Sequence, residues 1–214
     1  LTTKKTIYLI RHGQTDYNLQ GIIQGQGIDS DLNEKGRRQA KSFFDKYQHI
    51  QFDRVYTSTL KRTQQSVASF IEMGIDHVVH RGFDEINWGI HEGQKATEEH
   101  REIFHNITKR WSLGEVDFAP EGGESPAQMQ ARQVEGLELL KKDENEKRVL
   151  VCMHGRALRS FLCLLLEYPL AQMDDFPHTN LCLYKLSLTH NGSVELLEQN
   201  NVAHLNDAIR SNFP

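Results

Sequence analysis

Apolar residues follow two rhythms along this chain, and their alternation predicts the fold class. Short runs of β-branched and aromatic residues, Ile7-Tyr8-Leu9-Ile10 and Val149-Leu150-Val151-Cys152-Met153, read as strands buried on both faces. Asp53–Thr57 and a segment near His77–Arg81 read as two more. Stretches with helical spacing lie between them. Asn33 caps a helix whose apolar face is Ala40, Phe43, Phe44 and Tyr47. Another spans Leu60–Met73, with Leu60, Val67 and Ile71 inward. A polar, weakly amphipathic helix lies between Ala96 and Trp111, and Ser125-Pro126 starts a longer one reaching Lys142. The apolar stretch Ala157–Leu166 reads as a buried helix. Two last strands, Leu181–Leu188 and Val194–Gln199, flank His190-Asn191-Gly192-Ser193, whose Asn-Gly pair signals a hairpin.

Strand and helix alternation predicts an α/β fold, a three-layer sandwich in which helices cover both faces of a mostly parallel central sheet. A single domain over 1–214 is expected, with a lid or subdomain around 86–124. The stretch from Gly13 to Leu32 has neither rhythm, and an irregular loop of that length inside a compact domain is usually functional.

Composition narrows the function more than the fold. Of the 214 residues 38% are hydrophobic and 25% charged, as in ordinary globular proteins, and the net charge of −4 disfavours a nucleic-acid or membrane surface. No run approaches the ~20 apolar residues of a membrane span, and the N-terminal residues lack the apolar core of a signal peptide. Cys152, Cys163 and Cys182 lie in apolar segments and read as reduced core residues of a cytoplasmic protein. Cysteine-dependent phosphatases separate cysteine and arginine by five residues, whereas six lie between Cys152 and Arg159, so Cys152 is not read as a nucleophile.

The candidate chemistry collects where strands end. Arg11-His12 follows the first strand and His154 follows 149–153. Arg62 falls in the first turn of the helix after the second strand, and Glu85 lies beyond the third. Carboxyl ends of strands are where open α/β sheets bind ligands. Buried unpaired, an arginine or a histidine would cost several kcal/mol, so these residues need an anionic partner. Phosphoryl transfer asks for an in-line nucleophile and positive charge around the equatorial oxygens. Guanidinium forks suit those oxygens, a neutral imidazole suits the nucleophile, and Glu85 suits the acid that protonates the leaving alkoxide. Asp84 and Glu92 share its loop and are the alternatives. The 11 histidines form no His-Glu-x-x-His, and no aspartate cluster is present, so no metal or other cofactor is expected.

With these residues in view, the chain resembles the histidine phosphatase superfamily, which includes cofactor-dependent phosphoglycerate mutases. Arg11-His12-Gly13-Gln14-Thr15 is similar to its phosphohistidine motif. The likeness continues in order through Asn18, Gln24-Gly25, Gly36 and Gln39, Ser58-Thr59-Leu60-Lys61-Arg62, Glu85, Gly123-Glu124-Ser125, His154-Gly155 with Arg159, and Asn180. The resemblance implies that His12 is phosphorylated, that Arg11, Arg62 and His154 clamp the phosphoryl group, and that Glu85 is the acid. It implies polar contacts from Asn18 and substrate contacts from Gln24 and Gly25; Gly155, Arg156 and Asn180 complete the candidate substrate-binding set. In the family the second histidine acts as a cation or hydrogen-bond donor, so His154 need not share the protonation state of His12. Arg156 stands where the family usually has a small residue, and Asp31 where it often has proline.

The expected function is therefore a metal-independent phosphomonoesterase of the histidine acid phosphatase type. It would act on a small phosphorylated metabolite and release inorganic phosphate. A cofactor-dependent phosphoglycerate mutase is the alternative, and an inactive binding relative a third reading, disfavoured because all five chemical residues are present. Residues 86–124 carry four bases and eight acids, a formal charge of −4 expected to repel a second phosphate, and the stretch is short enough to leave the pocket open to water; both favour the phosphatase.

Overall fold

β1 (Lys4–Arg11) pairs in parallel with β4 (Arg148–Met153), and β4 pairs in parallel with β2 (Arg54–Thr57). β2 pairs in turn with the parallel edge strand β3 (His77–Val79). On its other side β1 pairs with β5 (Leu183–Thr189), antiparallel, and β5 with β6 (Val194–Asn201). The computed structural model thus has a six-stranded, mostly parallel sheet in the order β3-β2-β4-β1-β5-β6. It describes residues 4–95, 97–189, 191–207 and 209–210. Ala96, the expected start of the polar helix, and His190 of the hairpin lie outside the described residues.

Pleating sends alternate side chains of the central strands to opposite faces, which is why their sequence reads as unbroken apolar runs. Ile7, Leu9, Val149, Val151 and Met153 join one core, and Tyr8, Ile10, Leu150 and Cys152 the other. The first core is covered by α5 (Glu98–Ser112), α6 (Pro126–Lys142) and α7 (Gly155–Leu166), through Trp111, Met129 and Phe161 among others. The second is covered by α2 (Glu34–Tyr47) and by α3 (Lys61–Ser66) with α4 (Ala68–Glu72), through Phe43, Val67 and Phe70. This is the expected three-layer arrangement. Among the described residues no helix is long and apolar enough to cross a membrane.

Local departures have local causes. The expected helix over Leu60–Met73 breaks into α3 and α4 at Val67, whose φ/ψ of −120/10 leaves the helical region. Ser66 ends α3 with its hydroxyl shared between the Arg62 carbonyl and the Gly13 amide, so the break serves the loop after β1. Phe70, not foreseen as inward, is buried in its core beside Val67. The stretch 13–32 contains a short helix, α1 (Asp16–Gln20), closed by a reciprocal Thr15–Asn18 capping box. β5 starts two residues later than the pattern predicts. Leu181 holds a left-handed φ of 53 while its amide donates to the Arg11 carbonyl, so the chain enters the sheet only afterwards.

Candidate active site

The carboxyl ends of β1, β2 and β4 converge, and the residues after them form one cluster. His12 and His154 face each other with ring centroids 5.1 Å apart, and Arg62 lies against both. All three are buried, at 3%, 0% and 1% exposure. Gly13 allows this packing, because a Cβ there would sit 2.7 Å from the Gly36 carbonyl at the start of α2.

Hydrogen bonds fix the proton on each ring. His12 Nδ1 lies 2.7 Å from the Gly13 carbonyl, which can only accept, so Nδ1 carries the hydrogen and Nε2 keeps a lone pair. His154 is the reverse. Arg62 Nε, a donor only, points at its Nδ1 across 3.1 Å, so the hydrogen of neutral His154 is on Nε2, 2.8 Å from Ser58 Oγ. Ser58 in turn accepts from the Leu60 amide and donates to Thr63 Oγ1, whose own hydrogen goes to the Leu60 carbonyl. Burial pushes both imidazoles well below the usual range, and Arg62 pushes the same way on each. Burial is the larger cause on both rings, ahead of the repulsion from the arginines. Burial and these bonds favour a neutral His154, which acts as a hydrogen-bond donor through Nε2–H to Ser58.

Arg62 also donates to the Ile28 carbonyl at 2.6 Å and to the Gly25 carbonyl at 3.1 Å. A guanidinium has five N–H groups, so one remains on each terminal nitrogen. Burial lowers its pKa to about 10, partly offset by nearby Glu85, and it stays charged at neutral pH. Arg11 donates to the His178 carbonyl at 2.7 Å, while its Nε is buried with no hydrogen-bond partner among the described residues. Buried donors without partners are rare, and this one is aimed beside an electropositive cluster.

Glu85 is buried at the start of α7. Its Oε1 accepts from the Ala157 and Ile86 amides at 2.8 and 3.0 Å, and its Oε2 from the Arg156 amide at 3.1 Å. The helix N-terminus holds the carboxylate in place and leaves Oε2 room for one more hydrogen. The alternatives are committed elsewhere. Asp84 accepts from the Thr59 amide and hydroxyl, and Glu92 spans the Trp88 and Gly27 amides.

A cavity of about 570 Å³ opens beside this cluster, lined by Arg11, Asn18, Gln24, Glu85, Gly155 and Arg156 among others. Gly25 and Asn180 lie outside its wall: Gly25 receives Arg62, and Asn180 Nδ2 donates to the His12 carbonyl at 3.0 Å. Asn18 has its Oδ1 occupied by the Thr15 amide and Asn180, which leaves its amide hydrogens to the cavity. Sequence reasoning missed His178. It lines the cavity, burial and then Arg11 push its imidazole far down, and its ring would meet any Cβ added to Gly155 at 2.7 Å. No motif singled it out, because it reaches the site from the turn before β5.

The acids of 86–124 do not face the cavity. Its wall takes Trp88, Gln94, Lys95, His100, Arg101 and Phe104 from that segment, and none is acidic. Glu124 pairs with Arg132 and Glu115 with Arg110 instead. Cys152 is buried, and burial pushes its thiol up, away from the thiolate a nucleophile needs.

The arrangement has relatives. Phosphoserine phosphatase 1 of Hydrogenobacter thermophilus is 28% identical over 204 residues, 94% of either chain. The 2,3-bisphosphoglycerate-dependent phosphoglycerate mutase of Bradyrhizobium diazoefficiens is 29% identical over 171 residues, 76% of this chain and 82% of that protein. Among solved structures, a mycobacterial glucosyl-3-phosphoglycerate phosphatase complexed with VO3 is 26% identical. It superposes with a TM-score of 0.78 and covers 92% of this chain and 98% of that one. The family model of the histidine phosphatase superfamily (branch 1) matches residues 7–201, nearly the whole chain and every candidate above, and the protein belongs to that family.

Proposed function

We propose that the protein is a metal-independent phosphomonoesterase that hydrolyses a small phosphorylated metabolite through a phosphohistidine. The observation that carries this reading is the state of His12. Its hydrogen is tied to the Gly13 carbonyl, burial keeps the ring neutral, and the free Nε2 lone pair sits near buried Arg62 and half-buried Arg11, which have N–H groups to spare. Relatives named as phosphatases support the hydrolytic outcome.

In the first step His12 Nε2 attacks phosphorus in line and forms a P–N bond as the P–O bond to the leaving group breaks. Arg11 and Arg62 balance the charge on the equatorial oxygens, where preorganised donors are worth most. Glu85 gives its proton to the departing alkoxide. In the second step Glu85, now a carboxylate, takes a proton from water, which attacks phosphorus. The P–N bond breaks, and His12 and inorganic phosphate are regenerated. His154, neutral through its bonds to Arg62 and Ser58, orients the Arg62 guanidinium in both steps. Asn18, Gln24 and Arg156 meet the leaving group from the cavity wall, with Gly155 giving it room. Gly25 and Asn180 position Arg62 and the His12 backbone. Residues 86–124 act as a cover over one domain.

Rapid quench with a phosphorus-labelled substrate tests the scheme. An acid-labile, base-stable phosphoryl adduct should form on His12 and be absent in His12→Ala. An acid-stable adduct, or full turnover by His12→Ala, would show the scheme to be wrong.

A further inference from the structure

Arg62 is aimed by neutral groups. Its hydrogen bonds within the protein go to His154 Nδ1 and to two carbonyls of one loop, Gly25 at 3.1 Å and Ile28 at 2.6 Å. The ends of that loop are secured independently. Gln24 donates to Thr15 Oγ1 at 2.6 Å, and Asp29 accepts from the Lys61 amide at 2.7 Å. Its middle, residues 25–28, has less to hold it. Among the described residues, the only side chains that hydrogen-bond to it are those of Arg62 and Glu92.

Glu92 follows the short 3-10 turn Gly89–His91 and is half-buried. Its Oε2 accepts from the Gly27 amide at 3.0 Å, and its Oε1 from the Trp88 amide at 2.9 Å. Two glycines make room for the carboxylate. A Cβ on Gly25 would lie 1.9 Å from Oε1, and one on Gly27 would lie 2.7 Å from Oε2. The Gly93 amide adds a second tie, to the Ile23 carbonyl at 2.9 Å. Trp88 lines the cavity and packs on Phe104 and Trp111, with ring centroids 4.9 and 5.2 Å away. One carboxylate thus joins the loop that holds Arg62 to a turn that is itself anchored in the cavity wall. Only the ionised group suits this place, because both oxygens must accept, whereas a carboxylic acid or an amide turns a hydrogen toward one of two N–H donors. Burial pushes the Glu92 carboxyl up, while the two amides and Arg62 oppose that push. Glu92 itself lies outside the cavity wall, so it reaches the reacting atoms only through its neighbours.

The geometry points to Glu92 as a positioning residue for the phosphoryl clamp: by tying the Gly27 amide to the Trp88 amide, it holds the Gly25 and Ile28 carbonyls where they orient Arg62. This rests on the phosphatase reading, in which Arg62 balances charge on the equatorial oxygens. A shift on the order of 1 Å in such a contact is enough to slow in-line chemistry.

A double-mutant cycle separates this role from a general structural one. E92Q should lose about tenfold in kcat/KM on p-nitrophenyl phosphate, the scale of one charge-assisted hydrogen bond. The same substitution should cost no more than about twofold in R62A, where there is no guanidinium left to orient, and its full tenfold in R11A. E92D keeps the charge but is one methylene too short to span both amides, so it should show the same pattern and carries the cycle if E92Q does not fold. Orthovanadate affinity, read by titration calorimetry, should repeat the pattern without any turnover. A loss below about threefold in E92Q overturns the role, as does an equal loss with and without Arg62, or a loss that vanishes in R11A as well. A far greater loss on glycerol 3-phosphate than on p-nitrophenyl phosphate would make Glu92 the acid and also overturn it. Vanadate binding with the expected pattern, but no cleavage of p-nitrophenyl phosphate, would support the role of Glu92 and sink the phosphatase reading instead. Neither binding nor cleavage by the unaltered protein would overturn both.

Discussion

His12 and His154 lie 5.1 Å apart and hold opposite tautomers, Nδ1–H in the first and Nε2–H in the second. The difference is imposed by their partners, a carbonyl that can only accept and a guanidinium that can only donate. Nitrogen-15 NMR of the ring nitrogens should therefore show two neutral histidines with opposite protonation patterns at pH 6.5. An imidazolium signature for His154, or the same tautomer for both, would contradict the hydrogen-bond reading.

Ser58 closes the network that holds His154. Ser58→Ala would leave the His154 Nε2–H and the Leu60 amide without an acceptor inside the protein. Leaving a buried donor unsatisfied costs about 1–3 kcal/mol. Urea unfolding should show a loss on that scale, whereas a variant as stable as the parent would mean the network is not tightly held.

Arg11 and Arg62 should each be needed at the level of one preorganised transition-state contact. Arg11→Ala and Arg62→Ala are expected to lose at least ~10²-fold in kcat/KM on p-nitrophenyl phosphate. Vanadate should inhibit, because its trigonal-bipyramidal form mimics the transferring group, and chelators should leave activity unchanged. Inactivation by a chelator, restored by a metal ion, would require a different reaction scheme.

Much of this site was legible because its residues follow strands, and strands announce themselves by apolar runs. Arg11, His12 and His154 could be placed from Ile7–Ile10 and Val149–Met153 alone. Two kinds of information were not legible. His178 enters from the turn before β5, where a left-handed Leu181 redirects the chain, and no periodicity marks such a turn. The orientation of the charges in 86–124 was equally hidden. Sequence adds up their signs, but the fold turns Lys95 and Arg101 to the cavity and sends Glu115 and Glu124 to arginines elsewhere. The Leu60–Met73 helix broke at Val67 because Ser66 serves the β1 loop, a contact 53 residues distant in sequence.

Buried neutral histidines also set the pH dependence of stability. His204 packs edge-on against Phe43 and Tyr47, and burial lowers its pKa from 6.5 to about 4. The folded state then binds fewer protons than the unfolded state between these values. Stability is full above pH 6.5 and falls as pH drops toward 4, by up to about 1.4 kcal/mol per pH unit for one proton. His12 and His154 act in the same direction. His204→Phe should flatten the fall of the urea midpoint between pH 6.5 and 4. An unchanged slope would mean that His204 charges freely in the folded state.

Glu85 differs from Asp84 and Glu92 in lining the cavity. Glu85→Gln should slow turnover of a sugar phosphate far more than that of p-nitrophenyl phosphate, since a nitrophenolate leaves without a proton. The substitution also turns an amide group toward at least one of three backbone N–H donors, so some stability is lost too. The ratio between substrates separates the two effects, because a folding defect lowers both rates alike. Equal losses would move the acid role to Glu92, whose carboxyl burial pushes up.

Phosphatase and mutase chemistry share the phosphohistidine and part at its fate. A net negative lid would have settled the matter by repelling a second phosphate, but the wall that faces the cavity is cationic, so charge does not exclude a bisphosphorylated cofactor. Water access must decide instead, since a mutase has to keep water from its phosphohistidine until the intermediate recaptures it. From the segment 86–124 the wall receives two cations, Lys95 and Arg101. Arg101 is already drawn outward to Glu98 at 3.2 Å, across an exposed pair. As the proposed cover, this segment should grip a second phosphate weakly and admit water. We therefore expect inorganic phosphate as the product of a singly phosphorylated substrate, with no stimulation by 2,3-bisphosphoglycerate. A coupled assay started with 3-phosphoglycerate measures both outcomes together, and cofactor-dependent formation of 2-phosphoglycerate faster than phosphate release would establish the mutase.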